Sequence, residues 1–85
     1  MNGEKLLEHA AGVVAHRREL YGEPAELFGQ IATRWSLVLG IDVTPAQVAL
    51  CLIEVKLARL TRDPSHVDSM TDVAGYAACL REVTR

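Results

Sequence analysis

The stretch Thr44-Pro45-Ala46-Gln47-Val48-Ala49-Leu50-Cys51-Leu52-Ile53-Glu54-Val55-Lys56-Leu57-Ala58-Arg59-Leu60 decides the fold. Its first four residues are a helix start. A threonine hydroxyl supplies the cap, proline stands where no amide hydrogen bond is lost, and glutamine three residues after the cap reaches back. From Val48 to Leu60 the segment is apolar almost all round, the pattern of a helix with neighbours on several sides. Three charges interrupt it. Lys56 and Arg59, three residues apart, share one side of the helix, and Glu54 lies roughly 160° away from Lys56.

Working outward, Leu6, Leu7, Ala10, Val13, Val14 and Arg17 follow one face of a first helix that ends near Tyr21-Gly22-Glu23-Pro24. Gly22 suits a left-handed stop and Pro24 the first turn of the next helix. Leu27, Phe28, Ile31, Ala32, Trp35, Val38 and Leu39 continue a second helix to Gly40. Asp63-Pro64 closes the third, and a fourth runs from Ser65 or Asp68 through Met70, Val73, Ala74, Ala77, Ala78 and Leu80 toward Val83. The reading is all-α: a compact four-helix bundle with helices over about 4–20, 24–39, 45–61 and 66–83 in a single domain.

At 85 residues such a core is thin, so the apolar third helix predicts completion by homo-oligomerisation, with helix-three or helix-four surface buried between copies. Hydrophobic residues are 49% of the chain but aromatics only 5%, so the core is built from aliphatic side chains, which suits helix packing. A net charge of −2 removes the broad attraction to nucleic acid or to an anionic membrane. The longest apolar run, Val48 to Ile53, is far short of the roughly 20 residues a membrane span needs. The start lacks the basic residues of a signal peptide, so a cytoplasmic location is expected. Cys51 and Cys79, without Cys-x-x-Cys spacing, are expected to be buried thiols.

Charges on an apolar helix need partners. Asp68, Asp72 and Tyr76 recur every four residues, forming a stripe on one face of the fourth helix that can be set against Lys56 and Arg59. Two readings follow. In one, the charges are a structural salt-bridge network that fixes the register of two helices. In the other they form a site, with Glu54, Asp68 and Asp72 as oxygen ligands for magnesium and Lys56 and Arg59 as phosphate contacts. His66, at the start of the fourth helix, would then bond Asp68 or a phosphate, and Tyr76 would line the ligand site. Arg17-Arg18 reads as a solvated helix end whose cations favour the C-terminal dipole. Phe28 and Trp35 read as core, Tyr21 as a packing residue or the lip of a cleft, and His9 and His16 as surface residues. No nucleophile triad or phosphate-cradling glycine loop is present, so no catalytic residue is assigned.

The ordered string Tyr21-Gly22-Glu23-Pro24, Phe28, Ile31-Ala32, Trp35, Leu39-Gly40, Thr44-Pro45, Val48-Ala49-Leu50, Lys56-Leu57-Ala58-Arg59-Leu60, His66, Asp68-Ser69 and Asp72-Val73-Ala74-Gly75-Tyr76-Ala77 resembles a family of small phage-encoded all-α domains of unknown function. More distantly, Asp68 to Tyr76 is similar to the last acidic helix of MazG-like nucleotide pyrophosphohydrolases, where acidic residues help bind magnesium. Those enzymes add a glutamate cluster from an earlier helix. Here that stretch offers only Glu54, with Lys56 and Arg59 beside it. The resemblances imply a phage accessory protein that binds or hydrolyses a nucleotide with magnesium. The alternative is a non-enzymatic module that binds a host protein.

Overall fold

Asn2 opens the first helix: its side-chain oxygen accepts the Lys5 amide hydrogen at 2.9 Å, and α1 then runs Gly3–Tyr21. The computed structural model describes all 85 residues, and α2 (Pro24–Leu39), α3 (Pro45–Arg62) and α4 (Val67–Thr84) follow with no strand. Both glycines expected at helix ends hold positive φ. Gly22 (φ 84°) gives its N–H to the Arg18 carbonyl and Gly40 (φ 70°) to the Ser36 carbonyl, each at 2.9 Å. A side chain at either would be strained.

The start of α3 has the chemistry its sequence implies. The Gln47 amide donates to the Thr44 hydroxyl at 3.1 Å, and the Thr44 amide donates to the Gln47 side-chain oxygen at 2.9 Å. Just upstream, the Ser36 hydroxyl accepts the Val43 amide hydrogen at 2.8 Å while donating to the Ala32 carbonyl at 2.7 Å, which ties the α2–α3 connection to the end of α2. Between α3 and α4, the Asp63 carboxylate accepts from both the amide and the hydroxyl of Ser65, and these bonds hold its pKa below the ordinary value. His66 caps α4, so the helix begins between the two starts its sequence suggested.

The centre of the bundle is α4. It touches all three other helices, most extensively α3, whereas α1 and α3 do not touch each other. Its sequence explains this: Ala74, Gly75 and Ala78 present little bulk, so neighbouring helices can approach closely. Val14 of α1, for instance, lies 3.6 Å from where a Gly75 side chain would begin. The tightest core is Phe28 and Ala32 of α2 against Val48 and Ala49 of α3, with Tyr76, Cys79, Leu80 and Val83 of α4 packed on it.

The all-round apolar character of α3 is not matched by all-round cover. Its neighbours are α2 and α4, and Leu50, Val55 and Leu57 remain exposed. Cys51, expected to be a buried thiol, is exposed as well, at the open edge between α2 and α3. No helix is long and apolar enough to cross a membrane.

Thr44→Ala removes one half of a reciprocal cap whose loss leaves an α3 amide hydrogen unpaired. Chemical denaturation is expected to show a loss of about 1 kcal/mol, with Thr44→Ser close to wild type.

Candidate functional site

Of the three charges on α3, Lys56 alone is drawn inward. Its Nζ lies 2.9 Å from Asp72 Oδ2, and the two side chains are only 14% and 16% exposed. From the other side of α4, Arg17 Nη1 approaches Asp72 Oδ1 at 3.6 Å. One carboxylate therefore joins α1 and α3 through the helix between them. The Arg17 contact is the looser: its side chain is half exposed and the distance exceeds that of a hydrogen bond. Two cations on one anion leave a local excess of positive charge.

Beside this cluster a cavity of about 290 Å³ opens between α1, α2 and α4, with Leu52 of α3 completing its lining. Val13, Leu27, Phe28, Ile31 and Leu52 are among its apolar walls. Arg17, Tyr21, Asp72 and Tyr76 supply polar atoms, and the exposure of Arg17 and Tyr21 sets them at the opening. Thr71, 4% exposed, also lines the cavity, and its hydroxyl has no hydrogen-bond partner. A buried orphan hydroxyl costs about 1–3 kcal/mol, which an incoming polar group would recover. Cys79 completes the wall; burial pushes its thiol pKa up, so at neutral pH it is a protonated, weakly polar surface.

The other residues singled out from sequence are dispersed. Glu54 and Asp68 are exposed and make no ion pair, and no three acidic, histidine or cysteine side chains converge where a metal ion could be held. The magnesium triad of Glu54, Asp68 and Asp72 is thus not assembled, because Glu54 leaves α3 on the side away from Asp72, and Asp68 sits at the exposed first turn of α4. Arg59 is exposed and meets no acid. His66 is engaged locally rather than with Asp68. Its Nδ1 accepts the Ser69 amide hydrogen at 3.3 Å and lies 2.8 Å from the Ser69 hydroxyl, which leaves the ring as a helix cap. Tyr76 packs on the core and lines the cavity.

Two contributors were missed in the sequence reading, Arg17 and Thr71. A signal for Arg17 was present, since it continues the spacing of Ala10, Val13 and Val14, the face that α1 turns to α4. Its neighbour Arg18 is no free helix end either. It donates to Glu82 Oε1 at 3.0 Å and lies 3.7 Å from Glu23, fastening the end of α1 to the end of α4.

Comparison with known proteins gives the chain a family. Residues 5–84 match the model described as a domain of unknown function, DUF6378, so the chain belongs to that family. It is 37% identical over 81 residues to the Gene 55 protein of Mycobacterium phage D29, a match covering 94% of this chain and 54% of that protein. The Gene 55 protein of Mycobacterium phage L5 is 37% identical over 68 residues, covering 79% of this chain and 44% of that protein. The chain spans about half the length of the curated relatives it matches. No solved structure matches it. The phage resemblance read from the sequence is shown by these relatives, while the pyrophosphohydrolase likeness has no counterpart among them.

The asymmetry of the ion cluster is measurable. Asp72→Asn leaves Lys56 buried without a counter-charge and is expected to destabilise by about 2 kcal/mol, discounted from a fully buried pair for the residual exposure. Lys56→Met leaves Asp72 with Arg17 and is expected to cost less than about 1 kcal/mol. Urea denaturation of both variants checks this, and equal losses would contradict the assignment.

Proposed function

We propose that this phage-family domain binds a small anionic ligand with a planar apolar part, a nucleotide being the class, in the cavity between α1, α2 and α4. What carries the reading is Arg17, half exposed and loosely held at the mouth of a mostly apolar cavity that contains an unpartnered, buried hydroxyl. Ligand sites are typically apolar concavities with a few convergent polar groups, and about 290 Å³ lies near the lower end of their range of roughly 300–1,000 Å³.

That volume has room for a base or nucleoside rather than a whole triphosphate. The apolar walls would take the ring, with Tyr76 available to stack and Thr71 to hydrogen-bond its edge. Phosphates would extend toward solvent, where Arg17 can turn from Asp72 to grip them with two N–H groups, and the Lys56 charge behind Asp72 supports the anion. Magnesium, in this reading, would arrive with the phosphates. The protein's own donors do not fit a resident ion, so the reading is one of binding, and no hydrolytic step is derived. The phosphate position thus moves from Lys56 and Arg59 to Arg17, and the site from between α3 and α4 to the α1 side of α4.

Calorimetric titration with deoxynucleoside mono- and triphosphates, with and without magnesium, tests this. Arg17→Ala is expected to weaken binding about tenfold or more without unfolding the chain. Thr71→Val should weaken binding while raising the stability of the free protein by about 1 kcal/mol, since it removes an unsatisfied hydroxyl. Absence of binding to every nucleotide at millimolar concentration, or binding that ignores Arg17→Ala, would sink the idea.

A further inference from the structure

The chain exposes more surface than a protein of its mass should. A compact monomer of 9.3 kDa presents about 5,000 Å² to solvent, whereas this one presents 5912 Å² and buries only eight residues. The excess, about 900 Å², is close to the roughly 800 Å² that each partner hides in a standard interface. Part of the exposed apolar area lies together in one place. At the edge between α2 and α3, away from the cavity, Trp35, Leu39, Ile41, Val43, Leu50 and Cys51 line an open groove of about 240 Å³ whose remaining wall is Gln47. Leu39 and Ile41 are 59% and 63% exposed.

The groove continues as a stripe. Cys51, Val55, Ala58 and Arg62 are spaced by four, three and four residues, so they lie on one face of α3, and all are exposed. Small residues at 51 and 58 allow another helix to come close. The ends of the stripe differ in charge. Asp42 stands in the segment flanking its start, Arg62 stands at its end, and neither takes part in an ion pair.

We infer that this face is a two-fold interface with a second copy of the chain, in which the α3 helices pair antiparallel. A two-fold axis requires the patch to be complementary to itself, so that each contact occurs twice. An antiparallel pairing of the stripe meets the requirement. It sets Cys51 of each copy against Ala58 of the other, and lays Arg62 over the Gln47 end, beside Asp42. Leu39, Ile41 and Leu50 then cover the flanks of the paired helices. The apolar side of α3 that its own bundle leaves bare is thereby covered by the same side of another α3. This interface is independent of the ligand reading, since the groove shares no residue with the cavity.

Sedimentation velocity over about 1 to 100 µM protein tests the pairing, a range that spans micromolar dissociation constants. The expected outcome is a species of twice 9.3 kDa that grows with concentration. Ala58→Glu places a carboxylate in the middle of the contact and should raise the dissociation constant at least about tenfold, with helix content by circular dichroism unchanged because the position is exposed. Arg62→Asp should weaken the pair, and combining it with Asp42→Arg should restore it. Ala58→Cys should give a disulfide-linked dimer through Cys51 under mild oxidation. A monomer mass throughout the range, or a dimer indifferent to Ala58→Glu and Arg62→Asp, would overturn the inference.

Discussion

The half-buried ion pair between Lys56 and Asp72 is the interaction on which the arrangement of this small bundle turns. Helices α1 and α3 never touch, yet the carboxylate on the helix between them meets Lys56 on one side and Arg17 on the other. The two contacts are unequal. Lys56 is close and mostly shielded from water, where the loss of a counter-charge is costly, so this pair fixes how α3 lies on α4. Arg17 is longer and half exposed, where an ion pair is worth little and is readily exchanged. Under the proposed function, structural and binding roles for one set of charges divide between the two sides of a single aspartate.

That division depends on α4 being thin. Its run of alanine and glycine lets three helices crowd around it, so it acts as the axis of a bundle whose other members would otherwise lack a common neighbour. Close approach on the α3 side, together with the looser packing of α1 against α2, leaves a space lined by apolar side chains from all four helices. Thr71 lines this space, and its buried hydroxyl has no hydrogen-bond partner among the protein groups. Polar groups left unpaired in native interiors call for an explanation, such as an ordered water or another bound group that pairs them.

On the opposite edge, α3 presents to solvent the apolar side that the bundle does not use. Within this bundle α3 has only α2 and α4 as neighbours, so an all-round apolar helix keeps one side uncovered. The cavity and the uncovered stripe lie on different sides of the bundle, one facing inward and one outward.

By itself the sequence determined where the helices start and stop. The Thr44-Pro45-Ala46-Gln47 cap, the glycine stops at Gly22 and Gly40, and the apolar spacing within each helix are short-range chemistry, and the four helices stand within a residue or two of where that chemistry puts them. The inward turn of one α3 charge and its meeting with Asp72 were also legible, since a lysine on an apolar face demands an acid and the four-residue stripe on α4 offered one. Which helix lies at the centre, which members of the Asp68–Asp72–Tyr76 stripe are used, and that Arg17 reaches the same aspartate were decided only by the tertiary arrangement. The physical reason is that periodicity assigns a residue to a face but not a neighbour to that face. Glu54, Arg59 and Asp68 occupy credible helical positions yet look out on water, while Arg17, read as a solvated end, looks across α4 at Asp72.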